Sequence, residues 1–433
     1  MSSHPSGIGS LQEGIRQRIL FVRIALHVAL RYLGKMPMGE YLRFLRRAAT
    51  LLRVFRHNRI VRIAQGYKLQ LYLPAYPSSA FFAALENKLL ADMPASTSVV
   101  FSMTRACGNK CPHCYQKTET GSDLDKETLV RTFTDMLGAG VTFFNIEGGE
   151  PFLRLDRLNA LLEAKPDSAE VWVNTAGKGV TFEGLKDLQT RGMAGIMVSL
   201  HSTEAAVHDA FTGVPGSFVL ACEALRLAKR VGLGTAINSV LPEQSLRTGG
   251  LDALMEMAQG LAADYVQLIH PKPCGGWLEK TDDMQSDKSL LHAIEKAHIR
   301  YNSPAMHGYP SLAAQVFEER KAGVGCTAGG IDRFYVTATG EVQPCEFLQF
   351  SFGNVRHEKF NDIFSRMRKA YSVPTTGWQC TVQGQAVSAF MRKRGLTSTP
   401  ITWPATDDFL TECGGLASGK PTPLYIKLKI YEP

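Results

Sequence analysis

An α/β fold is predicted: an open, partial (β/α)6 barrel, with a basic helical extension ahead of it and a small cysteine-bearing domain behind. Three observations in the 433-residue chain predict it. From Ser98 onward, apolar runs of strand length alternate six times with helix-length segments, the rhythm of a parallel sheet. Charge is uneven: Met1–Gln70 carries 13 Lys/Arg and 2 Asp/Glu, whereas the remainder carries 35 and 38. The nine cysteines are odd in number and three fall within eight residues, which suits metal binding better than a disulfide framework. With 45% hydrophobic and 20% charged residues, the chain can bury a large core.

Residues 11–63 read as helices. Tyr41, Leu45, Ala48, Ala49 and Leu52 share one face, with Arg43, Arg46, Arg47 and Arg53 opposite. Such a basic amphipathic pair lies either on an anionic membrane surface or on the protein's own body with its arginines in water. The apolar stretch Ile19–Leu30 is broken by Arg23 and His27 and is too short to span a bilayer. No small-residue cleavage pattern follows Met1–Ser10, so a cytoplasmic location is expected, with peripheral contact at the inner face of the membrane through residues 11–63. Basicity confined to one segment argues against nucleic acid as a partner.

Leu69–Leu73 reads as a strand, Pro74–Ser79 as a linker and Ala80–Leu90 as a helix. The barrel strands follow at 99–103, 141–146, 171–174, 196–200, 235–240 and 265–269. Helices fall at 126–137, 155–163, 185–189, 218–231 and 251–261, and another at 290–301. Phe334–Thr337 and Glu341–Gln343 form a hairpin. The expected domains are 1–80, 81–322 and 323–433. Ligands in such sheets sit at the carboxyl ends of the strands, where each motif below falls.

Directly after the first strand stands Cys107-Gly108-Asn109-Lys110-Cys111-Pro112-His113-Cys114. Three thiolates at C-x₃-C-x₂-C spacing can wrap one soft metal centre from a loop. Zinc, with His113 as a fourth ligand, is the rival occupant. The second strand ends in Asn145-Ile146-Glu147-Gly148-Gly149-Glu150-Pro151. Its glycines admit a close approach to the backbone, and Glu150 can accept from an ammonium. Together these motifs resemble the radical S-adenosylmethionine (radical SAM) superfamily, whose signature is this cysteine spacing followed by an aromatic residue, here Tyr115.

The resemblance implies a [4Fe–4S] cluster on Cys107, Cys111 and Cys114, with one iron left for S-adenosylmethionine (SAM). It implies one-electron cleavage of SAM to a 5′-deoxyadenosyl radical, fed by an external low-potential electron donor. Gly148, Gly149 and Glu150 would hold the methionine amino group. Thr175, Ser199 and Asn238, at the ends of the third, fourth and fifth strands, match further SAM contacts; each is otherwise a strand-end cap.

Cys326, then Gly340-Glu341-Val342-Gln343-Pro344-Cys345, resembles the opening of the SPASM and twitch extensions, which carry auxiliary iron–sulfur clusters. The compact run of four further cysteines in SPASM is missing. One auxiliary cluster is therefore expected, on Cys326, Cys345 and Cys380, with Cys413 as either the fourth ligand or an ordinary thiol. Cys222 reads as core. The loop His270–Trp277 sits at the catalytic end, so His270, Lys272 and Trp277 either touch substrate or simply belong to a Pro/Gly turn. The resemblance covers about Ser98–Cys380. It points to hydrogen abstraction in a peptide or protein substrate. The basic N-terminus raises a membrane lipid or other apolar metabolite as the alternative, and a non-catalytic iron–sulfur electron carrier is the remaining class.

Overall fold

The computed structural model describes residues 7–90, 95–280, 287–320, 322–371 and 375–415, so the end of the expected 323–433 domain lies outside the described residues. Helices α1 (Gly7–Tyr32) and α2 (Met38–Val54), the hairpin β1 (Val61–Ile63) and β2 (Gly66–Lys68), and α3 (Ser79–Leu89) come first. Next come β3 (Ser98–Ser102), α4 (Lys126–Gly138), β4 (Phe143–Glu147), α5 (Leu155–Glu163), β5 (Glu170–Thr175) and α6 (Phe182–Thr190). They are followed by β6 (Met193–Ser199), α7 (Ala205–Thr212), α8 (Ser217–Val231), β7 (Gly234–Ser239), α9 (Glu243–Arg247), α10 (Gly250–Gly260) and β8 (Tyr265–Leu268). The chain continues through α11 (Lys288–Tyr301), β9 (Ser311–Ala314), α12 (Gln315–Glu318), β10 (Arg333–Val336) and β11 (Val342–Gln343). Helices α13 (Phe360–Ala370), α14 (Gln379–Arg394) and α15 (Ala405–Glu412) complete it.

The sheet order is β11-β10-β3-β4-β5-β6-β7-β8-β9, open at both edges. Strands β3 to β9 run parallel, each to its neighbour. The six expected strands are β3 to β8; β9 extends them at one edge and β10 at the other. Because helices cover the outer face and the barrel encloses the inner one, these strands read as unbroken apolar runs. Local caps set some helix ends: the Asp125 carboxylate accepts from Thr128 N at 2.8 Å to start α4, and Gly232 ends α8 at φ 88°. The hairpin after the barrel is not separate from it. β10 pairs in parallel with β3, Phe334 opposite Val99, so the expected boundary at 322/323 cuts a continuous sheet.

The N-terminal extension is likewise part of the body. Residues 61–63 form a strand and not helix, and Leu69–Leu73 is a turn and not a strand. Leu69, Leu71 and Leu73 are buried in alternation, which mimics a strand's period in the sequence. Leu71 and Ala75 instead join Phe143, Trp172, Met197, Ala236 and Tyr265 in a cluster that closes the barrel floor. Room for the Trp172 ring comes from Gly195 and Gly234, where a Cβ would fall 2.7 Å from it. Lys68, fully buried, pairs with Glu170 at 2.6 Å. Arg47 is also buried, contrary to the sequence expectation, because its guanidinium donates to the Leu89 carbonyl at 2.8 Å; Arg43 and Arg46 are exposed as expected.

Candidate functional site

The loop after β3 carries Cys107, Cys111 and Cys114 and is held from several sides. Thr104 Oγ1 donates to Asp123 at 2.6 Å, and Arg105 bonds the Glu119 and Gly121 carbonyls. Gly149 N and Glu150 N donate to the carbonyls of Thr104 and Ala106, both at 2.7 Å. A Cβ on Gly149 would lie 2.3 Å from the Ala106 carbonyl oxygen and 2.7 Å from Cys107 Cβ. The glycine pair, at φ 151° for Gly148, thus lets the thiol loop itself close on the strand end, not only a ligand. Lys110 N donates to Thr212 O at 2.9 Å and Gly276 N to Cys114 O at 3.0 Å, tying the loop to α7 and to the segment after β8.

A cavity of about 560 Å³ opens at the carboxyl ends of the strands. Its walls include Cys107, Cys111, Cys114, Tyr115, Gly148, Gly149, Thr175, Ser199 and Asn238, so nearly all the expected cofactor residues converge there. Glu150 sits just behind the wall. Its buried carboxylate accepts from Thr175 Oγ1 and Ala176 N, both at 2.8 Å, and burial pushes its pKa up to about 7. Glu147 is on the wall, accepting from the Tyr115 hydroxyl and from Asn174 at 3.2 Å; burial raises it to about 8. Burial also pushes the Cys111 thiol up to about 11 and the Cys114 thiol up to about 12.

His113 stacks on Phe211 at 4.1 Å and lies beside Trp277 at 5.4 Å, making an apolar flank to the thiol loop. His113, the fourth ligand of the zinc alternative, has its ring packed among Phe211, His201 and Trp277. Soft thiolates on one loop fit an iron–sulfur cluster. Three buried polar atoms of residues that border the cavity, Asn145 Oδ1, Asn238 Oδ1 and His113 Nδ1, have no partner within the protein. Such groups are costly to leave bare and fit a polar ligand that supplies donors.

A second set of thiols lies behind the cavity wall, next to Lys272, Arg333 and Glu346, which line it. Cys326, Cys345 and Cys380 are buried, and all three lie in the electrostatic surroundings of both Lys272 and Tyr371. Lys272 lies over the Trp378 ring at 3.0 Å and reaches the cavity wall along with Arg333 and Glu346. Arg333 approaches the Cys345 sulfur at 3.8 Å, and that thiol donates to Glu346 at 3.0 Å. Cys413, in contrast, is exposed at the end of α15, beside Glu412. Cys222 is core on α8, as expected. His270, Lys272 and Trp277 all line the cavity, with the buried Cys274. Pro273 packs 2.8 Å from the Cβ position of Gly384, one turn beyond Cys380 on α14.

Several wall residues carried no sequence signal: Tyr72 from the floor segment, bonded to Gln267 at 2.9 Å, and Arg333, Glu346 and Phe347 from the hairpin region. Adjacency to Cys345 was the one pointer to Glu346 and Phe347.

Residues 101–247 match the Radical SAM superfamily, and residues 326–381 match the iron–sulfur cluster-binding domain SPASM. With the thiol loop and the parallel sheet, these matches define a radical SAM enzyme with a SPASM-type domain. Its cofactors are a [4Fe–4S] cluster, SAM and an auxiliary iron–sulfur cluster. The chain is similar to an AdoMet-dependent heme synthase of Oleidesulfovibrio alaskensis, 24% identical over 299 residues, covering 63% of this chain and 75% of that protein. It is also similar to the antilisterial bacteriocin subtilosin biosynthesis protein AlbA of Bacillus subtilis, 25% identical, covering 63% of this chain and 60% of that protein. Among solved structures, Streptococcus suis SuiB bound to S-adenosylmethionine superposes with a TM-score of 0.52 at 15% identity, covering 66% of this chain and 70% of that one. A second SuiB structure, bound to precursor peptide SuiA, gives 0.50 at 16% identity, covering 63% and 65%. At such identities the structural likeness concerns the fold. Among the described residues no helix is long and apolar enough to cross a membrane.

Proposed function

We propose that the protein abstracts hydrogen from an unactivated carbon of a peptide, with Cys107, Cys111 and Cys114 holding the cluster that serves SAM. When bound, that cluster and SAM supply a 5′-deoxyadenosyl radical. The chain's own residues position and shield. Gly148 and Gly149 press the thiol loop onto β4. Asn145, Ser199 and Asn238 present polar atoms from three strand ends to SAM, and Thr175 anchors Glu150 beneath it. His113, Phe211 and Trp277 wall off water beside the thiols.

The observation that carries this reading is the single cavity bordered by the Cys107–Cys114 loop on one side and by Lys272, Cys274, Arg333 and Glu346 on the other. It is a space open to the Cys107–Cys114 thiols and to Cys274, with Lys272, Arg333 and Glu346 as charged groups of both signs to hold a polar chain. The peptide class is supported by the names of similar proteins: one acts in bacteriocin biosynthesis and another binds a precursor peptide. Cys326, Cys345 and Cys380 would hold the auxiliary cluster. Cys274 is the better candidate than Cys413 for a further sulfur, since it is buried and lies in the electrostatic surroundings of Cys380.

The test is anaerobic formation of 5′-deoxyadenosine by the reconstituted protein, with and without the peptide fraction of a cell extract. Stimulation that protease treatment of the fraction abolishes is the expected result. Stimulation that survives protease, or that comes from the small-metabolite or lipid fraction instead, would overturn the peptide reading.

A further inference from the structure

The outer face of α1 is apolar where it meets solvent. Leu11, Ile15, Ile19, Val22, Leu26 and Leu30 are each exposed, from 49% at Ile15 to 67% at Leu11. At about 100° per residue they form one stripe roughly 100° wide along the helix. The opposite face is the packed one: Ile24, Val28 and Tyr32 are buried, and the Tyr32 hydroxyl donates to Glu86 at 2.7 Å. Burial on the protein's own body therefore does not account for the stripe. Leu33, Met38 and Leu42 carry the exposed apolar surface across the turn into α2.

The borders of the stripe are basic. Arg18 lies along one edge and Arg16 and Arg23 along the other, all exposed. Arg43 and Arg46 add charge on the exposed side of α2. The one acidic residue of α1, Glu13, is nearly buried and paired with Arg16 at 2.7 Å.

We infer that α1, with the start of α2, is a docking surface for an anionic lipid bilayer, lying in the interface with its stripe among the acyl chains and its arginines at the headgroups. The arrangement of side chains favours a bilayer over a second copy of the chain. Two such α1 stripes packed together would face arginine with arginine, with no acidic residue along the α1 edges to pair them. An anionic surface complements both the apolar strip and its basic borders. Neither the cluster assignments nor the peptide reading enters this inference.

The experiment is flotation of the full-length protein with vesicles of phosphatidylglycerol and phosphatidylcholine, or of phosphatidylcholine alone. It is run beside the variant Ile19→Asp/Val22→Asp/Leu26→Asp and the variant Arg18→Glu/Arg23→Glu. The wild type should float with the phosphatidylglycerol vesicles and be released by salt. The triple variant should bind at least about tenfold more weakly, with unchanged circular dichroism and melting because its positions face solvent. The charge variant should lose its preference for phosphatidylglycerol. Failure of the wild type to float, or equal flotation of the triple variant, would overturn the proposal. So would a wild-type dimer in light scattering that the triple variant dissociates, since the stripe would then be a subunit seam.

Discussion

Replacing Lys68 by Met tests whether the 66–76 segment is an integral floor of the barrel. Its ammonium lies 2.6 Å from Glu170 with no exposure, between the rings of Phe143 at 4.7 Å and Trp172 at 5.1 Å. Two unit charges at that distance attract by about 6 kcal/mol at an effective dielectric of about 20. Much of that offsets the desolvation of Lys68, whose burial drives its pKa down. Removing one partner from such a pair costs about 3–5 kcal/mol, because the other charge stays buried. Glu170 would retain Trp172 Nε1 at 2.8 Å and Ala75 N at 2.6 Å as donors, which places the loss at about 3 kcal/mol. The assay is urea unfolding of the apoprotein followed by tryptophan fluorescence, with the wild-type slope retained. The double variant Lys68→Met/Glu170→Gln removes the stranded charge and should regain more than half of the loss. A single-variant loss below about 1 kcal/mol, or a double variant no better than the single, would refute the buried-pair account.

Cys111→Ala should abolish 5′-deoxyadenosine formation while sparing the auxiliary iron, read by iron analysis and electron paramagnetic resonance of the reduced protein. Cys345→Ala should lower iron content, whereas Cys413→Ser should leave it unchanged; a loss with Cys413→Ser would return that residue to the ligand set. Asn238→Ala removes an acceptor that lacks a partner within the protein, so SAM should bind about tenfold more weakly, measured by equilibrium binding to the reconstituted protein. Glu318 accepts from Asn58 at 3.3 Å and Gln70 at 3.2 Å, and burial raises its pKa to about 7. A carboxyl raised in the folded state contributes stability below its unfolded pKa that is lost as pH rises. Wild-type stability should therefore fall between about pH 4.5 and 7, and Glu318→Gln should make that fall shallower, the buried Glu147 and Glu150 accounting for the remainder; an unchanged profile would exclude Glu318 as a contributor.

The parts legible in the sequence were those with long periodic signals or dense chemistry. The six strand–helix units showed because each buried strand is a continuous apolar run. The thiol loop showed because three donors crowd eight residues. β9 gave no such signal: Ser311-Leu312-Ala313-Ala314 is short and mostly small, and its strand character comes from pairing with β8. Leu69, Leu71 and Leu73 misled because burial in a barrel floor and burial on a sheet face leave the same alternation. Arg47 misled because periodicity cannot see that its guanidinium meets the Leu89 carbonyl at the end of a neighbouring helix. Spacing offered Cys413 as a fourth ligand and did not offer Cys274. Their difference is tertiary: a barrel loop pressed against α14 by Pro273 at Gly384, against an exposed helix end.

The pairing of β10 with β3 has a mechanical consequence. The two thiol-bearing regions are joined by a ladder of backbone bonds between β10 and β3, and not only by the intervening chain. The span between them is set by strand register, and a slip of even one residue there would turn Phe334 and Val336 out of the core. Cutting the chain at 322 would not release a self-sufficient barrel. It would bare the edge of β3, just upstream of the Cys107 loop, as a template for intermolecular pairing.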